Sequence, residues 1–262
     1  MRPPTPPSPA PPVPAVPDGR RVLPAPPPVE SPPPADASAP CAAWSLHAAE
    51  LAAPLAAHVQ RFEETPSTRV MVAEGALMRL LPGLFLPPDL LTSAVHRALA
   101  LGCALGGHLQ ARHVIAGLSA AWVVLGGQPP QPAELLTPLH RPGPAGVRLR
   151  TGRLSSRDVE ILGGAPLTVP ARTATDLLRF TPMHLAAPVL LRLVIGGHVR
   201  PEQVRRQLWE VRRHPGVRAA RERFELILAD APGSAPDPGR GLPQTLVSGA
   251  PVPTGLPSAV TR

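Results

Sequence analysis

The chain contains no lysine, no asparagine and no tyrosine, and only two cysteines and 3% aromatic residues in 262. Each absence excludes a class of chemistry. Without lysine there is no phosphate-loop lysine, no Schiff-base nucleophile and no nuclease site of the kind that needs one. Two cysteines, at positions 41 and 103, make no disulfide framework and no cysteine-based zinc site. The nine histidines are scattered; His108 and His113 lie five apart, with no acid or cysteine at ligand spacing, so no metal site is expected. The longest apolar runs, 98–105 and 118–125, are far shorter than the roughly 20 residues that span a bilayer. The N-terminus has prolines where a signal peptide needs its apolar core. A cytoplasmic protein without a membrane partner is the expectation.

What the chain has in excess is proline and arginine. Of 41 prolines, 17 fall within residues 1–40, and every one of the 26 Lys+Arg positions is arginine. Proline at that density excludes helix and central strand, because it lacks the N–H and fixes φ. Residues 1–41 therefore read as a disordered, partly polyproline-II tail, and 231–262, rich in Pro, Gly and Ser, as a second disordered tail. The formal net charge of +8 favours anionic partners.

Between the tails the periodicity is mixed. A helical pattern runs over 41–60, with Pro54 expected to kink or split it. Residues 68–88, "TRVMVAEGALMRLLPGLFLPP", read as a short helix or strand, a Pro82–Gly83 turn and a strand ending at Pro87. A helix is expected from Asp89 to about Ala104, burying Leu91, Val95, Ala98 and Leu99. A short strand near 113–115 precedes a helix from about Ser119, stopped by Gly126–Gly127. The period then approaches two, predicting strands over 135–140, 147–150, 159–162 and 167–169. Helices follow at about 171–180, 183–195, 201–213 and 216–230. This order predicts an α+β fold: a small mixed β-sheet packed with helices.

No catalytic site emerges. Glycines 102, 106 and 107 lack dinucleotide-fingerprint spacing, "GLSAA" has Ala121 where a nucleophile elbow needs glycine, and Ser155–Ser156–Arg157–Asp158 reads as a plain turn. No cofactor is implied.

The most particular stretch is "PLTVPARTATDLLRF" (166–180), in which Thr168, Pro170, Arg172, Thr173 and Asp176 cluster where a strand runs into a helix. Pro170 presets the first turn, Arg172 and Asp176 sit one turn apart and can pair, and Thr168 or Thr173 can hold free N–H groups at the helix start. Two roles stay open: fixing the angle between sheet and helix, or presenting Arg172, Thr173 and Asp176 to a partner protein. A second candidate surface is 200–223, with eight arginines and three glutamates. Arg205 and Arg212 share one ridge there, Arg206 and Arg213 the next. It reads either as a solvated outer face or as a basic patch for DNA phosphates or an acidic toxin surface.

Residues 113–230 resemble the C-terminal domain of the AbiEi-like antitoxins of type IV toxin–antitoxin systems, in their actinobacterial form. The stretches that carry the resemblance are "HVIAGLSAAWVVLGG", "GVRLRTGRLSSRDVEILGGAPLTVPARTATDLLR", "HVRPEQVRRQL" and "RHPGVRAARERFELILAD". Residues 68–88 resemble the end of the family's winged-helix module, so 42–112 is expected to be a degenerate, looser winged-helix-like module ahead of a sounder 113–230 domain. The resemblance implies a non-enzymatic antitoxin and transcriptional regulator. It would bind its own double-stranded promoter DNA through Arg61, Arg69 and Arg79, aided by Arg205, Arg206, Arg212 and Arg213. It would counter a nucleotidyltransferase-type toxin without needing a stable complex. The alternative is an interaction scaffold working through PxxP-type stretches of the proline tail.

Two departures from the family pattern bear on stability. Val169 and Arg200 stand where the family has a Ser or Thr N-cap, forfeiting about 0.5–2 kcal/mol each. Pro188 falls inside an expected helix, at a cost of about 3 kcal/mol unless the helix breaks there.

Overall fold

The structure, a computed structural model, describes residues 39–140 and 142–230. The proline-rich tail expected over 1–41 lies outside them except at its end, as does the tail expected over 231–262.

The first part of the fold is α1 (Leu46–Ala56), β1 (Gln60–Arg61), α2 (Pro66–Ala73), β2 (Met78–Leu81) and β3 (Leu84–Leu86). The three strands form an antiparallel sheet in the order β1-β3-β2. The Pro82–Gly83 turn joins β2 to β3, and Gly83 takes φ +70, a conformation that favours glycine. Helix α1 runs through Pro54 rather than splitting there; the proline sits in the last turn, so few intrahelical bonds follow it. Helix α3 (Ala94–Leu105) begins later than expected. Asp89 belongs to a 3-10 turn over Pro88–Leu90, and the cap is Ser93, whose Oγ accepts from the His96 N–H at 3.1 Å.

Then follow β4 (Val114–Ile115), α4 (Gly117–Leu125), β5 (Ala133–Thr137), β6 (Val147–Thr151), β7 (Val159–Leu162) and β8 (Ala165–Thr168). The five strands form a mixed sheet ordered β6-β5-β4-β8-β7. Pairs β5–β6 and β4–β8 are parallel; β4–β5 and β7–β8 are antiparallel. Helices α5 (Pro170–Phe180), α6 (Met183–Ile195), α7 (Pro201–Glu210) and α8 (Val217–Ala229) complete the fold. The α+β architecture is as the periodicity indicated. Helix α6 continues through Pro188 without a break.

Alternation along the strands sorts the core. Ile115, Leu135 and Leu167 face a large cluster that takes in Ala48, Ala52, Leu80, Leu86, Leu99 and Trp122. Val114 and Leu136 face the other way, into a shallow cluster with Leu154 and Val159. A further cluster joins Ala121 of α4 to Leu177, Leu190, Leu208 and Phe224 in the four last helices.

The large cluster corrects the expectation of a loose 42–112 module ahead of a separate 113–230 domain. The boundary at 112/113 falls inside one continuous core, because α3 packs on the five-stranded sheet while α1 and the β2–β3 hairpin pack on α3 and add their apolar side chains to the same cluster. Polar contacts tie the same parts together. Gln131 Nε2 donates to the carbonyls of Arg79 and Leu80, each at 3.2 Å. Ser45 Oγ donates to the Gly164 carbonyl at 3.4 Å while capping α1. At Gly164 a Cβ would lie 2.7 Å from the Ala48 backbone nitrogen, which explains the Gly163–Gly164 pair as a seat for the start of α1. Arg97 of α3 donates to the carbonyls of Val123 and Val124 near the end of α4.

Cys41 is likewise not part of a tail. It is buried in the core, and its Sγ donates to the Leu99 carbonyl at 3.4 Å. The partner thiol of Cys103 and burial both push the Cys41 thiol up, out of the range in which it would ionise.

Candidate functional site

Two regions carry the candidate side chains: the strand–helix junction at 168–180, and the arginines outside it. The junction is built by strand alternation. Leu167 faces the large core, so Thr168 faces the other side of the sheet. The parallel pairing of Leu136 with Arg150 places Arg150 on that side too. Helix α5 starts immediately after β8, and Arg172, Asp176 and Arg179 recur along it at helical spacing.

The five residues expected at the junction form two pairs, Arg172 with Asp176 and Thr168 with Thr173, about a helix that begins at Pro170. Arg172 Nε donates to Asp176 Oδ1 at 3.2 Å, and its Nη1 lies 3.4 Å from Asp158 Oδ2. Arg150 Nη2 lies 3.5 Å from Asp176 Oδ2, an ion pair short of a hydrogen bond. Asp158 also accepts from Gln207 Nε2 of α7 at 3.0 Å, so the network reaches from β6 to α7. Thr173 Oγ1 donates to the Thr168 carbonyl at 3.0 Å and lies 2.7 Å from Thr168 Oγ1. The two hydroxyls therefore bond each other and a carbonyl, not the free N–H groups expected of them. Pro170 is the first residue of α5, and Val169 gives no side-chain cap.

Arg172, Thr173 and Asp176 are 8%, 2% and 1% exposed. That decides between the two roles left open: a buried network fixes sheet to helix, and these three side chains cannot form an exposed contact surface. Ser155 also resolves as a turn residue, with its N–H and Oγ both donating to Asp158 Oδ2 at 2.9 Å.

The network forms one wall of an open cleft of about 730 Å³, which Arg150, Arg153, Arg172, Arg179, Phe180 and Asp158 help to line. The Arg150 and Arg179 guanidinium carbons lie 4.4 and 4.5 Å from the centre of the Phe180 ring. Burial holds Arg179 below the usual arginine range; Asp176 opposes that, and Arg172 and Arg150 add to it. Sequence reading missed Arg150, Arg153, Arg179, Phe180 and the carboxylate of Asp158. The alternation in "VRLRT" was a signal for Arg150, since Val147 and Leu149 fix the opposite face; nothing in the sequence located its partner.

The arginines proposed for DNA are of two kinds. Arg61 and Arg69 are exposed and make no ion pair among the described residues. Arg79 is half-buried and bound to Glu64. Arg206 and Arg213 are exposed and also without an ion pair among the described residues. Arg205 is committed to Glu225 through two hydrogen bonds of 2.9 Å. That contact raises Arg205 and lowers Glu225 relative to their usual ranges. Arg212 and Arg221 lie 4.8 and 5.2 Å from the centre of the Trp209 ring. Arg200 does not cap α7, but Gln203 Oε1 accepts from its backbone N–H at 2.8 Å.

Among the described residues no group of three or more His, Cys, Asp and Glu side chains could hold a metal ion, and no helix is long and apolar enough to cross a membrane. No protein-family model, curated protein or solved structure matches the chain.

Proposed function

We propose that this chain is a non-enzymatic regulator of the AbiEi-like antitoxin type. It binds duplex DNA at its own promoter through α2 and the β2–β3 hairpin, and it counters a nucleotidyltransferase-type toxin in the cytoplasm without a stable complex. The observation that supports this best is the presentation of α2. Only Thr68 of this helix is buried; Arg69, Val70, Met71 and Ala73 are exposed, and no other element packs extensively against it. A helix kept on the outside, followed at once by a tight hairpin in a β1-β3-β2 sheet, suits insertion into a groove with the hairpin against the backbone. Arg61 and Arg69 are uncommitted cations beside it, and Arg206 and Arg213 supply further charge for phosphates. Arg79 and Arg205, held by carboxylates, would contribute less.

The test is fluorescence anisotropy of the full chain with the duplex upstream of its own gene, at several salt concentrations. Binding should weaken with salt, and Arg61→Ala with Arg69→Ala should flatten the log–log slope by about 0.9 per lost phosphate contact. Salt-insensitive binding, or none at low salt, overturns the reading. A toxin encoded beside the gene should lose its growth effect when the full chain is co-expressed; no relief removes the antitoxin half.

A further inference from the structure

The cleft beside the buried network carries an inference separate from duplex binding. Its cationic groups outnumber its anionic ones. Arg150, Arg153, Arg172 and Arg179 face it, or stand at its base, against the carboxylates of Asp158 and Asp176, a surplus of two positive charges. Arg172 is engaged by both carboxylates. Arg150 and Arg179 are less engaged: among the described residues Arg150 makes no hydrogen bond, and Arg179 makes a single one, from Nη2 to the Pro215 carbonyl at 3.0 Å. Arg153 is exposed at the rim with no ion pair among the described residues. Three under-used guanidinium groups, two of them largely withdrawn from solvent, add little to stability, since like charges repel and burial of a charge costs free energy.

The carboxylates behind the cleft have a different task. Asp176 is wholly buried, and Asp158 nearly so. They hold Arg172 and Arg150 in place while leaving the outward charge positive. Phe180 lies close to both Arg150 and Arg179 and limits how those side chains can move; Arg150 Nε and Nη2 and Arg179 Nε are closed off from solvent, so an acceptor would meet the remaining Nη groups.

The size and lining narrow the acceptor. A volume of about 730 Å³ lies within the roughly 300–1,000 Å³ of small-molecule sites and far exceeds one inorganic anion. Leu136, Leu154 and Val211 provide apolar wall beside the arginines. An anionic head carrying about two negative charges, attached to an apolar or planar body, meets both halves. A phosphomonoester carries about −1.5 to −2 at neutral pH, with oxygens enough for several guanidiniums at once, and guanidinium planes stack on nucleobases. We propose that this cleft is a binding site for a phosphomonoester of nucleotide size, with the phosphate held by Arg150, Arg179 and Arg153 and the body against the leucines.

Isothermal titration of the full chain tests this with adenosine 5′-monophosphate, inorganic phosphate, adenosine and a short DNA duplex as probes. The nucleotide should bind saturably, phosphate should compete for the same site, and adenosine should bind at least tenfold more weakly. Arg153→Ala, at an exposed position, should weaken nucleotide binding about tenfold without lowering thermal stability, as loss of one charge-assisted contact implies. Arg150→Gln should weaken it further; if that variant fails to fold, Arg153→Ala decides. No saturable nucleotide binding, equal binding of adenosine, or unchanged binding in Arg153→Ala overturns the proposal. So does displacement of the nucleotide by duplex together with Arg153-dependent duplex binding, which would assign the cleft to DNA. Loss of duplex binding on substituting Arg61 and Arg69 leaves the proposal standing.

Discussion

Arg172 and Asp176 stand one helical turn apart on α5, and the 3.2 Å bond between them is made where both side chains are almost wholly out of solvent. Asp176 shares its other oxygen's charge with Arg150, and Arg172 shares its own with Asp158. The four residues come from β6, the turn before β7, and α5, so the network bolts the sheet to the final helices.

Asp176→Asn keeps the shape and removes the charge that faces two arginines. Breaking a buried pair from one side costs about 3–5 kcal/mol, and urea unfolding should show a loss of that order. Arg172→Met combined with Asp176→Asn should lose less than the sum of the single changes, by about 0.5–3 kcal/mol. Single losses below about 1 kcal/mol, adding without coupling, would mean that the network does not hold the sheet to α5.

Glu134 performs the capping that α4 cannot obtain from Ala116. Its Oε2 accepts from the Leu118 N–H at 3.0 Å and its Oε1 from Arg148 at 3.0 Å. Gly117 makes room for it: φ is +54, and a Cβ there would lie 1.8 Å from Glu134 Oε2. Gly117→Ala should therefore add displacement of Glu134 to backbone strain of about 1–3 kcal/mol. Gly127→Ala, with φ +86 and open space around its Cβ, should show the strain alone. Equal melting temperatures for the two variants would refute the capping role of Glu134.

His113 gives the fold a pH dependence of defined sign. It is 3% exposed, and burial lowers its pKa from 6.5. Its Nδ1 accepts from the Gln110 N–H at 3.3 Å, which requires that nitrogen to be unprotonated. The unfolded chain thus binds the proton more tightly than the folded one. This contribution to stability is complete above the unfolded pKa of 6.5 and is lost as pH falls from there towards the lowered folded value. The urea midpoint should drop between pH 7.5 and 5.5, and His113→Asn should make that drop smaller. An identical pH profile in the variant would exclude His113 as the source.

A fragment of residues 110–230 should not fold alone. It would keep Ile115, Leu135 and Leu167 but lose Leu80, Leu86 and Leu99, with which they share one core. Its far-ultraviolet spectrum and amide exchange should show an unfolded or aggregating chain, whereas residues 39–230 should unfold in one transition. A stable, monomeric 110–230 fragment would restore the two-module division.

Local pattern made most of the elements legible. Period-two stretches located β6, β7 and β8 to within a few residues, and the helical pattern located α7 and α8, whose Val204, Leu208, Val217, Ala220, Phe224 and Ile227 are buried. Caps were less legible where they are tertiary. Ser93 is a local cap that proline-rich sequence before it obscured, while the cap of α4 comes from Glu134 on another element, which no window of sequence can show. The same limit hid the cleft. Arg172 and Asp176 are neighbours along one helix and could be paired from their spacing. Arg150 and Asp158 join them only because parallel strand pairing and the turn before β7 bring distant segments together.

Sequence by itself determined most of the segments that form helix or strand, that the foldable part is α+β, and that lysine chemistry is excluded. Those properties follow from side-chain type and period, which act over a few residues. Tertiary structure alone decided that 42–112 and 113–230 share a core, that Cys41 is inside it, and that the Thr168–Asp176 cluster is buried. Each of these depends on which apolar face covers which, a matter of long-range packing between segments that carry no mark of their partners. The charge of the arginines was written in the sequence; which of them remain free was settled by the positions of Glu64, Asp176 and Glu225 in space.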